Sequence, residues 1–129
     1  MDRIIFQGSV PSDLEVVREF LSSATNRLYQ YVYDENVRFD LNLIINELVV
    51  NGVLHGNEGN RNKSVSLDIG LMVDGIRIRV KDEGKGIQYN PQNDSRNNRR
   101  CSGRGLILVK ALSDQMVFEE NEVIVIVNF

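Results

Sequence analysis

Between Val65 and Val80 the hydropathy pattern has a period of two. Val65, Leu67, Ile69, Leu71 and Val73 alternate with Ser66, Asp68, Gly70, Met72 and Asp74. Ile76, Ile78 and Val80 then alternate with Arg77, Arg79 and Lys81. Successive strand side chains point to opposite faces, so this run predicts an antiparallel hairpin with one buried face. Asp74-Gly75 predicts its two-residue turn. Asp82 has the parity of Ile76, Ile78 and Val80, so a strand reaching it would aim its carboxylate at the covered face. Val117-Phe118 and Val123 to Phe129 read as a closing hairpin, whose last strand is apolar enough to be internal.

Upstream the period lengthens. Arg3 to Val10 is short and β-prone, and Pro11 ends it. Ser12-Asp13-Leu14-Glu15 has the form of a capping box that starts a helix. Leu14, Val17, Leu21, Ala24, Leu28 and Tyr31 follow at steps of three and four, a helical seam. Arg18 and Glu19 fall on its solvated side. Tyr29 to Tyr33 alternates as a strand would, which blurs the helix end. A second helix is expected from about Val37 to His55. Leu41, Ile44, Ile45, Leu48, Val49 and Leu54 cover most of its circumference, which predicts burial. A loop follows at His55 to Asn60, and Gly103 to Leu112 reads as a short third helix.

Residues 83–102 show no period and hold glycines, asparagines, a proline, Lys85, Arg96, Arg99 and Arg100. A loop of that length in a compact domain is usually functional. A chain of 129 residues suits one domain. The net charge of −3 argues against a generally basic nucleic-acid binder. One cysteine, Cys101, excludes an internal disulfide and a multi-cysteine zinc site. No apolar stretch is long enough for a membrane span, and the first ten residues lack a secretory layout. The expectation is a cytoplasmic single domain, residues 1–129, that contacts neither nucleic acid nor membrane directly.

Three short constellations carry chemistry. Glu47 and Asn51 lie on one face of the second helix, about 40° apart around its axis, and His55 extends that side by the same step. Polar groups on a greasy helix must be paired or face a wet site. Asp82-Glu83-Gly84-Lys85-Gly86-Ile87 joins an inward carboxylate, able to accept a hydrogen bond from an amino group, to glycines that let a ligand approach the backbone. Ser102-Gly103-Arg104-Gly105-Leu106 precedes a helix, whose first amides are free to bind anions, with arginines close by in sequence. Each motif alone is weak. The last is neither a P-loop nor a dinucleotide fingerprint.

Taken together, and in this order, the three motifs resemble the Bergerat-fold (GHKL) ATPase/kinase superfamily. The matching pieces are Asn46-Glu47-Leu48-Val49-Val50-Asn51-Gly52-Val53-Leu54-His55-Gly56, Asp82-Glu83-Gly84-Lys85-Gly86-Ile87 and Gly103-Arg104-Gly105-Leu106. Histidine kinases usually have asparagine where this chain has Glu47, and the gyrase, chaperone and mismatch-repair ATPases are much longer. The chain is therefore most similar to the anti-sigma-factor serine-protein kinase branch. The resemblance implies an α+β two-layer sandwich, a mostly antiparallel sheet covered on one face by about three helices. It implies ATP and Mg²⁺ as cofactors and an ATP lid at about 87–102. Glu47 would be the catalytic base and Asn51 the Mg²⁺ ligand. Asp82, Gly84, Gly86, Gly103, Arg104, Gly105 and Leu106 would bind ATP, with Asp82 reading adenine and Arg104 facing the γ-phosphate. His55 would be structural.

The implied partners are a sigma factor or analogous target, and a STAS-domain anti-anti-sigma protein as phospho-acceptor. Homodimer pairing is also implied. Members often place an adenine-side threonine on the closing hairpin. Here Glu119 to Val127 has none, and the only threonine is Thr25. Water or backbone would have to replace it. That departure motivates a second reading, an ATP-binding switch that sequesters its partner without kinase turnover. A third is an interaction module without nucleotide.

Overall fold

The computed structural model describes residues 2–84 and 104–129, with Arg104 described by its backbone alone. Elements follow in the order β1 (Arg3–Pro11), α1 (Leu14–Leu28), α2 (Glu35–Asn51), a π turn (Gly52–Gly56), β2 (Ser64–Met72), β3 (Gly75–Lys81), α3 (Arg104–Leu112), β4 (Gln115–Glu119) and β5 (Glu122–Asn128). The strands form one antiparallel sheet in the order β1-β2-β3-β5-β4. The fold is thus α+β, a five-stranded antiparallel sheet with three helices.

The alternation of the central hairpin is realised as rows across three strands. Leu67, Val80 and Val123 are register partners, as are Ile69, Ile78 and Val125, and Leu71, Ile76 and Val127. These rows meet Val17, Ala24 and Leu28 of α1, Ile44, Ile45, Leu48 and Val49 of α2, and Leu106 and Val109 of α3 in one core. Most of these side chains are fully buried, each worth about 1.5–3 kcal/mol of apolar transfer. The opposite face carries charge instead. Arg79 lies 2.6 Å from Glu122 and 3.8 Å from Asp68.

Several boundaries differ from the sequence expectation, each for a physical reason. The hairpin turn is Val73-Asp74, because Met72 pairs with Gly75. Val73, expected on the inner face, sits at the tip and is 92% exposed. Gly75 belongs to β3, where a Cβ would meet the Val127 carbonyl oxygen at 2.5 Å. Asp13, not Ser12, caps α1, accepting from Glu15 N at 3.0 Å. Ser12 is buried and donates to the Lys63 carbonyl, a long-range partner that outcompetes the local capping box. Tyr29 is the C-cap of α1, and the tyrosine run after it forms turn rather than strand. Pro11 ends β1 from inside, which an edge strand tolerates. Helix α2 starts two residues early because Asp34 caps it, accepting from Asn36 N and Val37 N at 2.8 and 3.1 Å.

Among the described residues, two outside glycine adopt left-handed backbone, Glu58 and Glu120, both at φ 54°. A Cβ makes that region costly, and asparagine tolerates it better than glutamate. The Glu120→Asn variant is therefore expected to raise the urea midpoint by the equivalent of about 0.5–1 kcal/mol. A lowered midpoint would mean that the Glu120 side chain contributes more than its backbone costs.

Candidate nucleotide site

The second helix does not run regularly to His55. After Asn51 the chain widens into the π turn, where Asn57 N donates to the Gly52 carbonyl at 2.8 Å. Such widened turns are frequent at functional sites. The even angular step that would place His55 beside Glu47 and Asn51 therefore stops at Asn51. His55 is half-buried within the π turn.

That turn is where Asp82 arrives. A Cβ on Gly56 would overlap the Asp82 carboxylate, and one on Gly52 would come within 3.7 Å of Asp82 Cβ. The aspartate that ends the central hairpin thus packs on the turn directly following Asn51. Glu47 sits one helical turn earlier, about 6 Å along the axis. Both Asn51 and Asp82 are nearly sealed, at 4% and 3% exposure, whereas Glu47 is half-buried. Around the axis of α2, the Glu47–Asn51 stripe lies away from the groove with α1, which is lined instead by Asn42, Asn46 and Val50. Helix α3 packs against α2. Arg18 and Glu19 are exposed, as their side of the seam predicts.

The polar atoms of the site are arranged unequally. The Asn51 side-chain nitrogen has no hydrogen-bond partner among the described residues. A buried unsatisfied amide costs about 1–3 kcal/mol, which a polar ligand would recover. Asp82 is held closely. Its Oδ1 accepts from Gly84 N at 2.8 Å, its N donates to the Asn121 carbonyl at 3.0 Å, and its carbonyl accepts from Asn121 Nδ2. Gly84 is the first glycine of the turn and shapes it through that amide. In α3, Gly105 and Leu106 are buried in the first turn, so Leu106 has only its main chain to offer a ligand. Arg104 opens that helix. Gly86, Gly103, Cys101 and the expected lid at 87–102 lie outside the described residues.

Two residues at the site carry no sequence motif. Asn57 and Asn121 stand in segments that read as loop or turn by composition alone. Their partners are 26 and 39 residues away, at Glu83 and Asp82 respectively, beyond the reach of any local pattern. Among the described residues there is no cluster of three or more His, Cys, Asp or Glu that could hold a metal by itself, and no helix is long and apolar enough to cross a membrane.

Comparison with known proteins identifies the family. Residues 10–129 match the family model described as the histidine kinase-like ATPase domain. The chain is also similar to the serine-protein kinase RsbW of Bacillus subtilis (strain 168), at 29% identity over 115 residues, covering 82% of this chain and 70% of the relative. The matched span contains α1, α2, the Asp82 turn, α3 and the whole sheet except most of β1, so the polar helix face and the inward aspartate fall within a single family match. The chain belongs to the histidine kinase-like ATPase domain family.

Proposed function

We propose that this protein is a Mg-ATP-dependent serine-protein kinase that also sequesters a sigma factor or an analogous target. Its phospho-acceptor in this reading is a serine on a small STAS-domain antagonist in a partner-switching pathway. The observation that carries the proposal is the packing of the Asp82 carboxylate on Gly56, which sets an adenine-reading acid beside the helix that bears Glu47 and Asn51. The similarity to a serine-protein kinase supports the choice of acceptor.

Each residue has a role that its surroundings suit. Asp82, buried and aimed inward, accepts a hydrogen bond from the exocyclic amine of adenine. Gly84 and Gly86 let the chain pass close to the base. In this reading the amides of Gly103, Arg104, Gly105 and Leu106 would hold phosphate oxygens, and Arg104 would serve the γ-phosphate. In this reading residues 87–102 would serve as the lid of a single ATP-binding domain. The chemistry of Asn51 suits Mg²⁺, because its carboxamide offers an oxygen ligand, while its unpartnered side-chain nitrogen is a donor that a phosphate oxygen would satisfy. Bound there, the metal would supply positive charge to offset that of the phosphates. Glu47, half-buried one turn away, takes the proton of the acceptor hydroxyl. Phosphoryl transfer depends mostly on positioning and charge stabilisation, which these groups supply without covalent catalysis. The sigma-factor reading places the protein in the cytoplasm, acting as a homodimer.

A specific observation favours the alternative of an ATP-dependent switch without turnover. Thr25, the only threonine, lies in α1 and donates to Asn42 Oδ1 at 2.9 Å, so no threonine serves the adenine side of the closing hairpin. The two readings separate in one experiment. Tagged protein, with and without Mg-ATP, captures partners from lysate, and a captured STAS-domain protein is then incubated with γ-labelled ATP. Label on a serine of that protein is the expected result. Nucleotide-dependent capture with no transferred label would replace the kinase by the switch.

A further inference from the structure

Asn57, immediately after the π turn, is 2% exposed, and both ends of its side-chain amide are engaged. Its Nδ2 donates to Ser12 Oγ at 2.9 Å and to the Ser64 carbonyl at 3.0 Å. Its Oδ1 accepts from Glu83 N at 2.7 Å. Ser12 Oγ donates onward to the Lys63 carbonyl at 2.8 Å, and Ser64 N donates to the Glu83 carboxylate. One buried carboxamide therefore joins the β1–α1 junction, the end of the π turn, the start of β2 and the turn after β3.

The decisive feature is the peptide unit between Asp82 and Glu83. Asn121 Nδ2 donates to its carbonyl oxygen, and its N–H donates to Asn57 Oδ1. A single peptide plane is clamped at both ends by two asparagines that arrive from opposite parts of the chain. With Asp82 N also donating to the Asn121 carbonyl, the main chain on both sides of the Asp82 Cα is held. The direction of its Cα–Cβ bond is then set, and with it where the carboxylate points. The side chain has little freedom left, because Gly56 lies beneath it and Gly84 N holds Oδ1.

We infer that Asn57 is a positioning residue for base recognition. By holding the Asp82–Glu83 peptide against Asn121, it aims the Asp82 carboxylate at the amino group of the purine. The inference rests on the reading of Asp82 as the adenine acceptor. It makes adenine selectivity depend on a side chain that touches no nucleotide.

The test compares ATP with inosine triphosphate, which lacks the exocyclic amine, by displacement of a fluorescent nucleotide from the full chain. In the Asn57→Ala variant, ATP affinity is expected to fall about ten-fold, as for loss of one buried hydrogen-bond partner, with inosine triphosphate affinity little changed. Asn57→Asp keeps an acceptor facing Glu83 N and is expected to recover most of the selectivity while still losing thermal stability. An equal loss for both nucleotides would mark Asn57 as merely structural and overturn the inference. Asn121→Ala, which frees the other end of the same peptide, is expected to narrow selectivity in the same way and serves if Asn57→Ala does not fold. The Asp82→Ala variant tests the underlying reading separately. If it leaves selectivity intact, the adenine role of Asp82 fails. The positioning role is then judged by amide hydrogen exchange at residues 83–84 of the unliganded protein. Faster exchange there in Asn57→Ala supports the clamp, and unchanged exchange removes it.

Discussion

Glu47→Ala is expected to lower phosphoryl transfer to the proposed serine acceptor by about 10²–10⁴-fold, the range for loss of a positioned general base, while ATP binding stays close to native. The split follows from where the residue sits. Glu47 is half-buried on α2, one turn before Asn51, and Asp82 reaches the helix beyond Asn51. Removing the carboxylate deletes the proposed proton acceptor and leaves the Asp82 turn and the start of α3 untouched. The kinetic signature is a fall in kcat with little change in KM for ATP. Asn51→Ala should behave differently. It removes the proposed metal ligand, so nucleotide binding and turnover fall together. Should Glu47→Ala retain full transfer, the general-base assignment would be wrong.

Gly56→Ala weakens ATP binding by about ten- to hundred-fold, as expected for loss of a hydrogen bond to a charged group. It also destabilises the fold by about 1–3 kcal/mol through overpacking. The added methyl would overlap a carboxylate that is 3% exposed and held by Gly84 N. Either Asp82 rotates away and leaves its partner unsatisfied, or the π turn moves off β3. Both outcomes displace the carboxylate from its place against the π turn. Gly52→Ala is the matched control. There the added methyl meets Val65 Cγ2 at 3.1 Å and Asp82 Cβ only at 3.7 Å, so stability falls but base recognition survives. Thermal unfolding and nucleotide titration of the two variants separate these effects. Native ATP affinity in Gly56→Ala would show that the Asp82 carboxylate does not contact the base.

The elements were legible wherever one period ran unbroken. The alternation from Val65 to Val80 became the rows of β2, β3 and β5, and the seam of α1 became a buried stripe at Val17, Ala24 and Leu28. The parity of Asp82 marked it as inward if the strand reached it; β3 ends one residue earlier, at Lys81, and Asp82 is buried all the same. Legibility failed where a distant group competed with a local signal. Ser12 had the spacing of a cap, but Lys63 and Asn57 claimed its hydroxyl. Asp74-Gly75 had the composition of a turn, but β5 needed a residue without a side chain at Gly75.

The amino-acid order by itself determined which faces are apolar, in what order the helices and strands follow, and that Glu47 shares a stripe with Asn51. Those properties depend on geometry that repeats every few residues, so neighbours in sequence suffice to specify them. Only the folded chain decided that Asp82 rests on Gly56, and that Asn57 and Asn121 hold one peptide from both sides. These contacts join segments separated by tens of residues. They exist because burial of the shared core brings the ends of α2, β3 and the closing hairpin together, leaving their polar groups to find one another.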